Sequence, residues 1–241
     1  MYSAIEPLQV QSLKEACASR LEQMILSGEL EIGERLPSER SFAARLNVSR
    51  PVLHQALVEL EAKGLVRIIP RRGVFISDYR RDGSLAMLSS LLSYHNGELS
   101  PDLNQSMLEM RLLLETETAR LAAQYRSDVQ MGEFRELLTA EIIAVDSDPQ
   151  TLTDLDFSFH HSIAIASGNL VYPLIINSFK EVYTGLTGKF FRQYFGTEII
   201  TAVHDYHQQL VDAFEFQDAD SAVQTMVDML KHGEEYLKGE R

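Results

Sequence analysis

Residues 33–77, GERLPSERSFAARLNVSRPVLHQALVELEAKGLVRIIPRRGVFIS, decide the fold of the N-terminal third of the chain. A proline, a capping serine and an early acid predict a short helix over 38–46, and a second helix runs over 49–63 until a glycine stops it. The segment 65–77 predicts two short strands around a turn at Pro70–Gly73. Two helices joined by a short turn and followed by a hairpin are typical of a winged helix-turn-helix.

The chain as a whole is predicted to be mainly α-helical. An apolar stripe over 13–25 predicts a first helix, and the polar run 77–84 is the clearest domain boundary. We expect a winged helix-turn-helix DNA-binding domain over 1–78, a linker over 79–84, and an all-α bundle of six or seven helices over 85–241. Apolar stripes predict the bundle helices near residues 85–95, 101–126, 129–146, 150–167, 170–194, 197–216 and 219–237.

The composition favours a cytoplasmic protein that does not enter a membrane. Hydrophobic side chains make up 45% of the 241 residues, but no apolar stretch approaches the roughly 20 residues that span a bilayer. The N-terminal residues lack the pattern of a secretory signal, and the single cysteine, Cys17, fits a reducing compartment. The net charge of −13 falls on residues 79–241, because residues 1–78 hold ten basic and ten acidic groups. The N-terminal domain could therefore face DNA, which the remainder should repel.

The N-terminal turn of the second helix in the 33–77 stretch is expected to enter the major groove of double-stranded DNA. Ser49 can cap this helix, and Pro51 is tolerated where the amide has no partner within the helix. Arg50 can reach a guanine edge or a phosphate, whereas arginines at the hairpin tip would reach the minor groove. The alternative is an ordinary solvated arginine face. The predicted contacts are Arg40, Ser49, Arg50, Pro51, His54, Arg71 and Arg72.

This stretch resembles the DNA-binding domain of the GntR-type bacterial transcriptional regulators. The resemblance is carried by LPSER (36–40), SR (49–50), GLV (64–66) and residues 73–75. It implies that Gly73 joins the DNA contacts already named, together with Arg40, Ser49, Arg50 and Arg72. The chain departs from the family pattern in having His54 where an arginine is usual and Arg71 where the wing has its first glycine.

A polar cluster is predicted inside the helical domain. Asp156 and His160 lie one helical turn apart beside an apolar stripe, and His207 shares an apolar stripe of a later helix. Such groups are costly to bury without a partner, and their oxygen and nitrogen atoms suit zinc, nickel or manganese. The alternative is an Asp–His hydrogen bond within the core.

The helical domain is similar to the effector domain of the FadR branch of that family. Arg111 and Glu115, DFSFH (156–160), SGN (167–169) and His207 carry this resemblance. It implies a divalent metal held by one aspartate and three histidines, but Met229 stands where the last histidine is expected. The fourth ligand is therefore missing unless His204 or His232 substitutes for it. Residues 155–191 also resemble the fatty-acyl-CoA-responsive type in that branch. The predicted effector-binding residues are Arg111, Tyr172, Tyr183 and Met229.

These features together predict a homodimeric, ligand-responsive transcription factor and not an enzyme. The dimer would form through the helical domain and read a palindromic operator. Its effector would be a small carboxylate, bound with or without metal and held bidentately by Arg111, or an acyl-CoA whose chain enters the bundle. Two alternatives are a metal-dependent hydrolase that uses Asp156, His160 and His207, and an architectural DNA binder without an effector.

Overall fold

The computed structural model describes residues 12–94, 101–145 and 147–238 of the chain. The chain forms two compact units, Met1–Gly97 and Glu98–Arg241. The fold is mainly helical, with a small two-stranded sheet in the first unit, as the sequence predicts. The predicted helix near 85–95 ends at a residue outside the described ranges. No helix in the described part of the chain is both long and apolar enough to cross a membrane.

The first unit is a winged helix-turn-helix. Serine side chains cap both helices of the motif: Ser38 Oγ accepts from Ser41 N, and Ser49 Oγ accepts from Val52 N. These caps satisfy amides that have no partner within the helix. The elements of this unit are α1 (Leu13–Leu26), α2 (Glu39–Arg45), α3 (Arg50–Ala62), β1 (Val66–Ile69), β2 (Gly73–Ile76), α4 (Tyr79–Asp82) and α5 (Ala86–Tyr94).

One face of α3 supplies the centre of the first core. Leu53, Leu57 and Leu60 recur at helical spacing, are fully buried, and belong to one cluster with Leu21 of α1. Burying each leucine contributes about 1.5–3 kcal/mol, so this face fixes α3 against the rest of the unit. The opposite side of α3 is left for solvent or DNA.

The end of α3 is tied to the chain that leaves the wing. Gly64 follows α3 with φ +79°, a left-handed conformation that favours glycine, and the backbone of Asp82 and Gly83 lies over it so closely that a Cβ would collide. Ser84 donates from its amide to the Lys63 carbonyl at 3.2 Å. Segment 79–84, predicted as a linker, therefore contains α4 and packs onto the winged helix.

The second unit is an all-α bundle. The residues described there form α6 (Pro101–Tyr125), α7 (Asp128–Ala144), α8 (Pro149–Ala166), α9 (Tyr172–Ser178), α10 (Lys180–Tyr194), α11 (Glu198–Glu215) and α12 (Ala219–Lys238). The single helix predicted over 170–194 is two helices, because the backbone at Phe179 leaves the helical region with φ −111° and ψ 21°. Helix α5, predicted in the bundle, instead places Met87 in the core of the first unit.

Helix α8 positions the polar cluster. It packs against α6, α7, α9 and α10, so most of its residues face protein. Phe159 joins an aromatic group with Phe134 of α7 and Phe214 of α11, whose ring centroids lie 5.2–5.8 Å apart. These rings hold three helices together beside Asp156 and His160.

Candidate functional site

The N-terminal turn of α3 presents an exposed polar surface. Ser49, Arg50, Pro51 and His54 are all exposed, as is Arg40 on α2. These are residues that the sequence predicts to contact DNA. Because α3 is anchored by its leucine face, this surface has a fixed direction.

Glu39 of α2, which sequence reasoning treated only as a capping acid, orders this surface. One of its carboxylate oxygens accepts from Arg50 Nε at 3.4 Å, and the other lies 3.1 Å from His54 Nδ1. The contact leaves the terminal nitrogens of Arg50 available, and this side chain is 71% exposed. Glu39 thus positions two side chains of α3 without covering the guanidinium edge that is predicted to contact a base or phosphate.

The hairpin tip holds the remaining predicted contacts. Arg71 and Arg72 are exposed, and Arg71 has φ +63°, which is unfavourable for a residue with a side chain. Gly73 has φ +108°, and a Cβ there would lie 3.1 Å from Arg35 Nε. Glycine is therefore required at 73, whereas position 71 keeps an arginine at a conformational cost.

In the second unit, Asp156, His160 and His207 converge in the interior, and we call them the Asp–His–His cluster. One ligand atom from each lies within 4.8 Å of the other two. Asp156 Oδ1 is 3.9 Å from His160 Nε2 and 3.7 Å from His207 Nε2. All three residues are buried, and His207 Nε2 has no hydrogen-bond partner. A buried imidazole nitrogen needs a hydrogen-bond donor or a cation as its partner, and the two cluster residues beside it leave room for either.

Two buried glutamates orient the imidazoles. Glu115 of α6 contacts His160 Nδ1, and Glu141 of α7 lies 2.8 Å from His207 Nδ1. The other oxygen of Glu141 is 3.2 Å from His204 Nδ1. A carboxylate at Nδ1 holds the proton there, which leaves Nε2 with a lone pair directed at the cluster.

These contacts also set the charge state of the site. Burial opposes ionisation of Glu115, but Arg111 and His160 outweigh it and lower the pKa of this carboxyl to about 2. Burial likewise opposes ionisation of Glu141, whose pKa His207 and His204 lower to about 2. Burial lowers the pKa of His207, yet Glu141 raises it above the ordinary value. The interior is therefore a strongly cation-attracting environment.

Arg111 and Tyr183 complete the polar network. Arg111 donates from Nε to Glu115 Oε1 at 2.6 Å and from Nη2 to the Tyr183 hydroxyl at 2.9 Å, and that hydroxyl donates to Asp156 Oδ2 at 3.1 Å. Because Glu115 occupies the Nε–Nη2 edge, the bidentate grip on an effector expected of Arg111 is reduced to a single Nη1 contact. Tyr183 acts on Asp156 and does not line the cavity described next.

A cavity of about 50 Å³ adjoins the cluster. Arg111, Asp156, His160 and Met229 line it, with apolar walls from α10, α11 and α12. Met229 and Arg111 thus lie where the sequence predicts them. Tyr172 does not line this cavity and instead lines a separate groove beside α6.

The donor set fits a divalent metal ion. Ligand atoms at 2.0–2.2 Å from one tetrahedral ion lie about 3.4 Å from each other, so the two distances from Asp156 Oδ1 to the imidazole nitrogens need to shorten by only a few tenths of an ångström. The three donors are one carboxylate oxygen and two imidazole nitrogens, a set that zinc, nickel and manganese accept. Met229 adds only a thioether, which is a weak ligand for these ions.

Comparison with known proteins identifies both units. Residues 13–76 match the family of bacterial regulatory proteins called gntR, and residues 106–232 match the FCD domain, which is more than half of the chain. The chain belongs to the GntR family. Its helical unit is therefore the effector-binding FCD domain. Regulators of this family bind DNA operators and small-molecule effectors, usually as dimers.

Individual relatives of this GntR-family regulator are also transcriptional regulators and not enzymes. The HTH-type transcriptional regulator Mce2R of Mycobacterium tuberculosis is 34% identical over 75% of this chain and 74% of its own. The putative L-lactate dehydrogenase operon regulatory protein of Escherichia coli is 28% identical over 89% and 82%. The hydrolase alternative is thereby excluded.

The fold has a counterpart among solved structures. A Listeria monocytogenes protein, Lar, which controls expression of the agr system, aligns with a TM-score of 0.63 at 17% identity. The alignment covers 94% of this chain and 96% of the other. At this identity the likeness concerns the fold alone.

Proposed function

We propose that this regulator senses a small carboxylate through a divalent metal ion held by Asp156, His160 and His207. The observation that carries the proposal is the cavity that joins Asp156 and His160 to Arg111, with His207 Nε2 only 3.7 Å from Asp156 Oδ1. A bound ion supplies positive charge and open coordination positions for carboxylate oxygens. Arg111 Nη1 offers one further charge-assisted hydrogen bond to the same anion.

The size of the cavity favours a carboxylate over an acyl-CoA. The cavity has a volume of about 50 Å³. One water molecule needs about 10–15 Å³ of such volume, so the cavity holds about four water-sized groups. A two-carbon carboxylate, with four non-hydrogen atoms, meets this limit and three- and four-carbon carboxylates exceed it by a few atoms, whereas an acyl chain exceeds it several-fold. Relatives give one parallel, since the name of the Escherichia coli regulator links it to an L-lactate dehydrogenase operon.

The DNA-binding part of the proposal is a homodimer on a palindromic operator. One exposed α3 reads only a half-site, so a second copy supplies the other about one helical turn away. Arg40, Ser49, Arg50, Pro51 and His54 would contact the major groove and its phosphates, and Arg71, Arg72 and Gly73 the flanking minor groove. The effector must bind the DNA-bound and DNA-free forms of the regulator with different affinities, because an effector that binds both forms equally well does not change the affinity for the operator.

The test combines metal content with effector response. We expect the wild-type chain to bind one zinc, nickel or manganese ion, and a panel of two- to four-carbon carboxylates to raise its thermal unfolding temperature only when metal is present. His160→Ala and His207→Ala should lose the metal and, with it, carboxylate-dependent change in operator affinity.

His161→Ala is the matched control. This neighbouring histidine stacks on Phe157 and does not belong to the cluster, so its replacement should keep the metal and the response. Normal metal content in both cluster variants would refute the metal site. A metal-bound protein whose operator affinity ignores every carboxylate, but responds to an acyl-CoA, would refute the effector class. No response to either would favour an architectural DNA binder.

A further inference from the structure

We propose that Arg35 is a further DNA-binding residue, which contacts the phosphate strand between the major groove entered by α3 and the minor groove reached by the wing. The inference rests on the proposed mode of DNA binding and adds a residue to it. It is carried by the place of Arg35 beside the wing strands, by the direction of its side chain, and by the ion pairs of the neighbouring residues.

The segment that precedes α2 forms a third, short edge of the wing. Residues 33–36 run antiparallel to β2: Leu36 N donates to the Val74 carbonyl, and Ile76 N donates to the Glu34 carbonyl, both at 2.9 Å. This edge ends a few residues before the first turn of α2, a helix of the DNA-binding motif. It therefore joins the wing to the helix-turn-helix.

Arg35 lies on the outer face of this edge and is exposed. It pairs with Phe75 of β2, which pairs on its other side with Arg67 of β1. Paired residues in a sheet point to the same face, and successive residues of a strand point to opposite faces. Because the neighbours Val74 and Ile76 are buried in the core of the first unit, the face that carries Arg35 is turned outwards.

The side chain of Arg35 extends towards the tip of the wing. A Cβ at Gly73 would lie 3.1 Å from Arg35 Nε and 3.4 Å from Arg35 Nη2, and the three atoms nearest to it all belong to this guanidinium group. Gly73 directly follows the tip arginines Arg71 and Arg72. The absence of a side chain at 73 therefore leaves the space in which Arg35 brings a third positive charge to the wing.

The guanidinium group of Arg35 is available for a ligand. Another exposed arginine of this unit, Arg20, is held by Glu29 at 3.6 Å. Among the residues that the structure describes, no acidic side chain forms an ion pair with Arg35, and its neighbour Glu34 accepts from the Glu31 amide at 3.0 Å instead. An exposed guanidinium group without an acidic partner can bind a phosphate through charge-assisted hydrogen bonds.

The position of Arg35 selects a phosphate of DNA as this ligand. When α3 occupies the major groove and the wing occupies the adjacent minor groove, one phosphate strand separates the two elements. Arg35 lies between the wing and the helix-turn-helix, because it pairs with Phe75 and stands three residues before Ser38, which caps α2. A phosphate contact carries no base information, so Arg35 would strengthen the binding of all sequences.

The test is the salt dependence of DNA binding by the full-length chain. The probe is a duplex that the wild-type chain selects from a random-sequence library, and its dissociation constant is measured between about 50 and 200 mM salt. Each phosphate contact contributes about 0.9 to the slope of log K against log salt concentration. Arg35→Gln should therefore bind more weakly at low salt and lose about 3.5-fold less affinity per half-site over this range.

Two further variants separate charge from structure. Arg35→Lys keeps the positive charge and should keep the slope of wild type. Arg20→Gln is the matched control, because Arg20 is an exposed arginine of the same unit that is already paired with Glu29. Its slope should equal that of wild type.

Directed cleavage locates the contact independently of affinity. Cys17, the single cysteine, is buried, so Arg35→Cys presents the accessible thiol for an iron chelate that generates hydroxyl radicals. The label at position 35 should cut the DNA backbone between the half-site and its flanking minor groove. The same label on Arg20→Cys should not cut there.

The outcomes distinguish this contact from the proposed operator binding. A slope of Arg35→Gln equal to that of wild type, with or without weaker binding, would overturn the phosphate contact. So would the absence of cleavage from position 35, or an Arg35→Lys slope as low as that of Arg35→Gln. A wild-type chain that selects no duplex would instead refute the proposed operator binding itself.

Discussion

Replacing Glu141 with glutamine tests whether the buried carboxylates tune the metal site. Glutamine keeps the size of the side chain but removes the negative charge that lies 2.8 Å from His207 Nδ1. Loss of one charge-assisted hydrogen bond costs about 1.5–3 kcal/mol, which corresponds to about 10- to 100-fold in affinity. Removal of an outer-shell partner of a metal ligand has effects of the same size. We therefore expect zinc to bind Glu141→Gln 10- to 100-fold more weakly than wild type.

Competition with a fluorescent zinc chelator measures this difference directly. Glu136→Gln is the matched control, since Glu136 is an exposed carboxylate on the same helix and its replacement should leave the affinity unchanged. His204→Ala, which removes only the second contact of Glu141, should have a smaller effect. Equal zinc affinity in wild type and Glu141→Gln would refute the idea that Glu141 fixes the proton of His207.

Three further predictions concern acid stability and DNA binding. In metal-free protein the pKa of Glu141 is about 2, below its ordinary value of 4.5. The stability that this carboxylate gives is therefore present above pH 4.5 and is lost as the pH falls towards 2. The unfolding temperature of Glu141→Gln should decrease less than that of wild type over this pH range. Arg50→Ala should reduce operator discrimination by about 1–3 kcal/mol per half-site in a binding assay with single-base operator variants. Unchanged preference would exclude Arg50 as a reader. Arg71→Gly should raise stability by about 1 kcal/mol in denaturant titrations and lower the salt dependence of DNA binding by about one charge. An unaltered salt slope would remove Arg71 from the phosphate contacts.

The winged helix was predictable because its signals are local. Ser38 and Ser49 cap the two helices where the sequence predicts, and Gly64 ends the second. The prediction of a single helix over 170–194 was wrong because it, too, depended on local signals alone. Its apolar stripe continues across Phe179, where neither glycine nor proline marks the break, and only packing within the bundle ends α9 there.

The convergence of Asp156, His160 and His207 was predictable, whereas the residues that support them were not. The spacing of Asp156 and His160 places both on one side of a helix, and the apolar stripe around His207 indicates burial. Glu141 was missed, although a signal exists: it lies in the α7 stripe with Phe134 and Leu138, and a carboxylate in a buried stripe needs a partner. Which partner it meets depends on how α7 and α11 pack, a long-range contact that residue spacing does not contain.

Gly64 allows the chain that leaves the wing to pack closely against the end of α3. The chain passes over this glycine before it continues towards the second unit. The backbone of Asp82 and Gly83 lies against Gly64, and the Ser84 amide donates to the Lys63 carbonyl. Residues 82–84 are therefore held against the end of α3, whose leucine face is buried in the core of the first unit. Any side chain at position 64 would collide with the backbone of Asp82 and Gly83 and force this segment away from the end of α3.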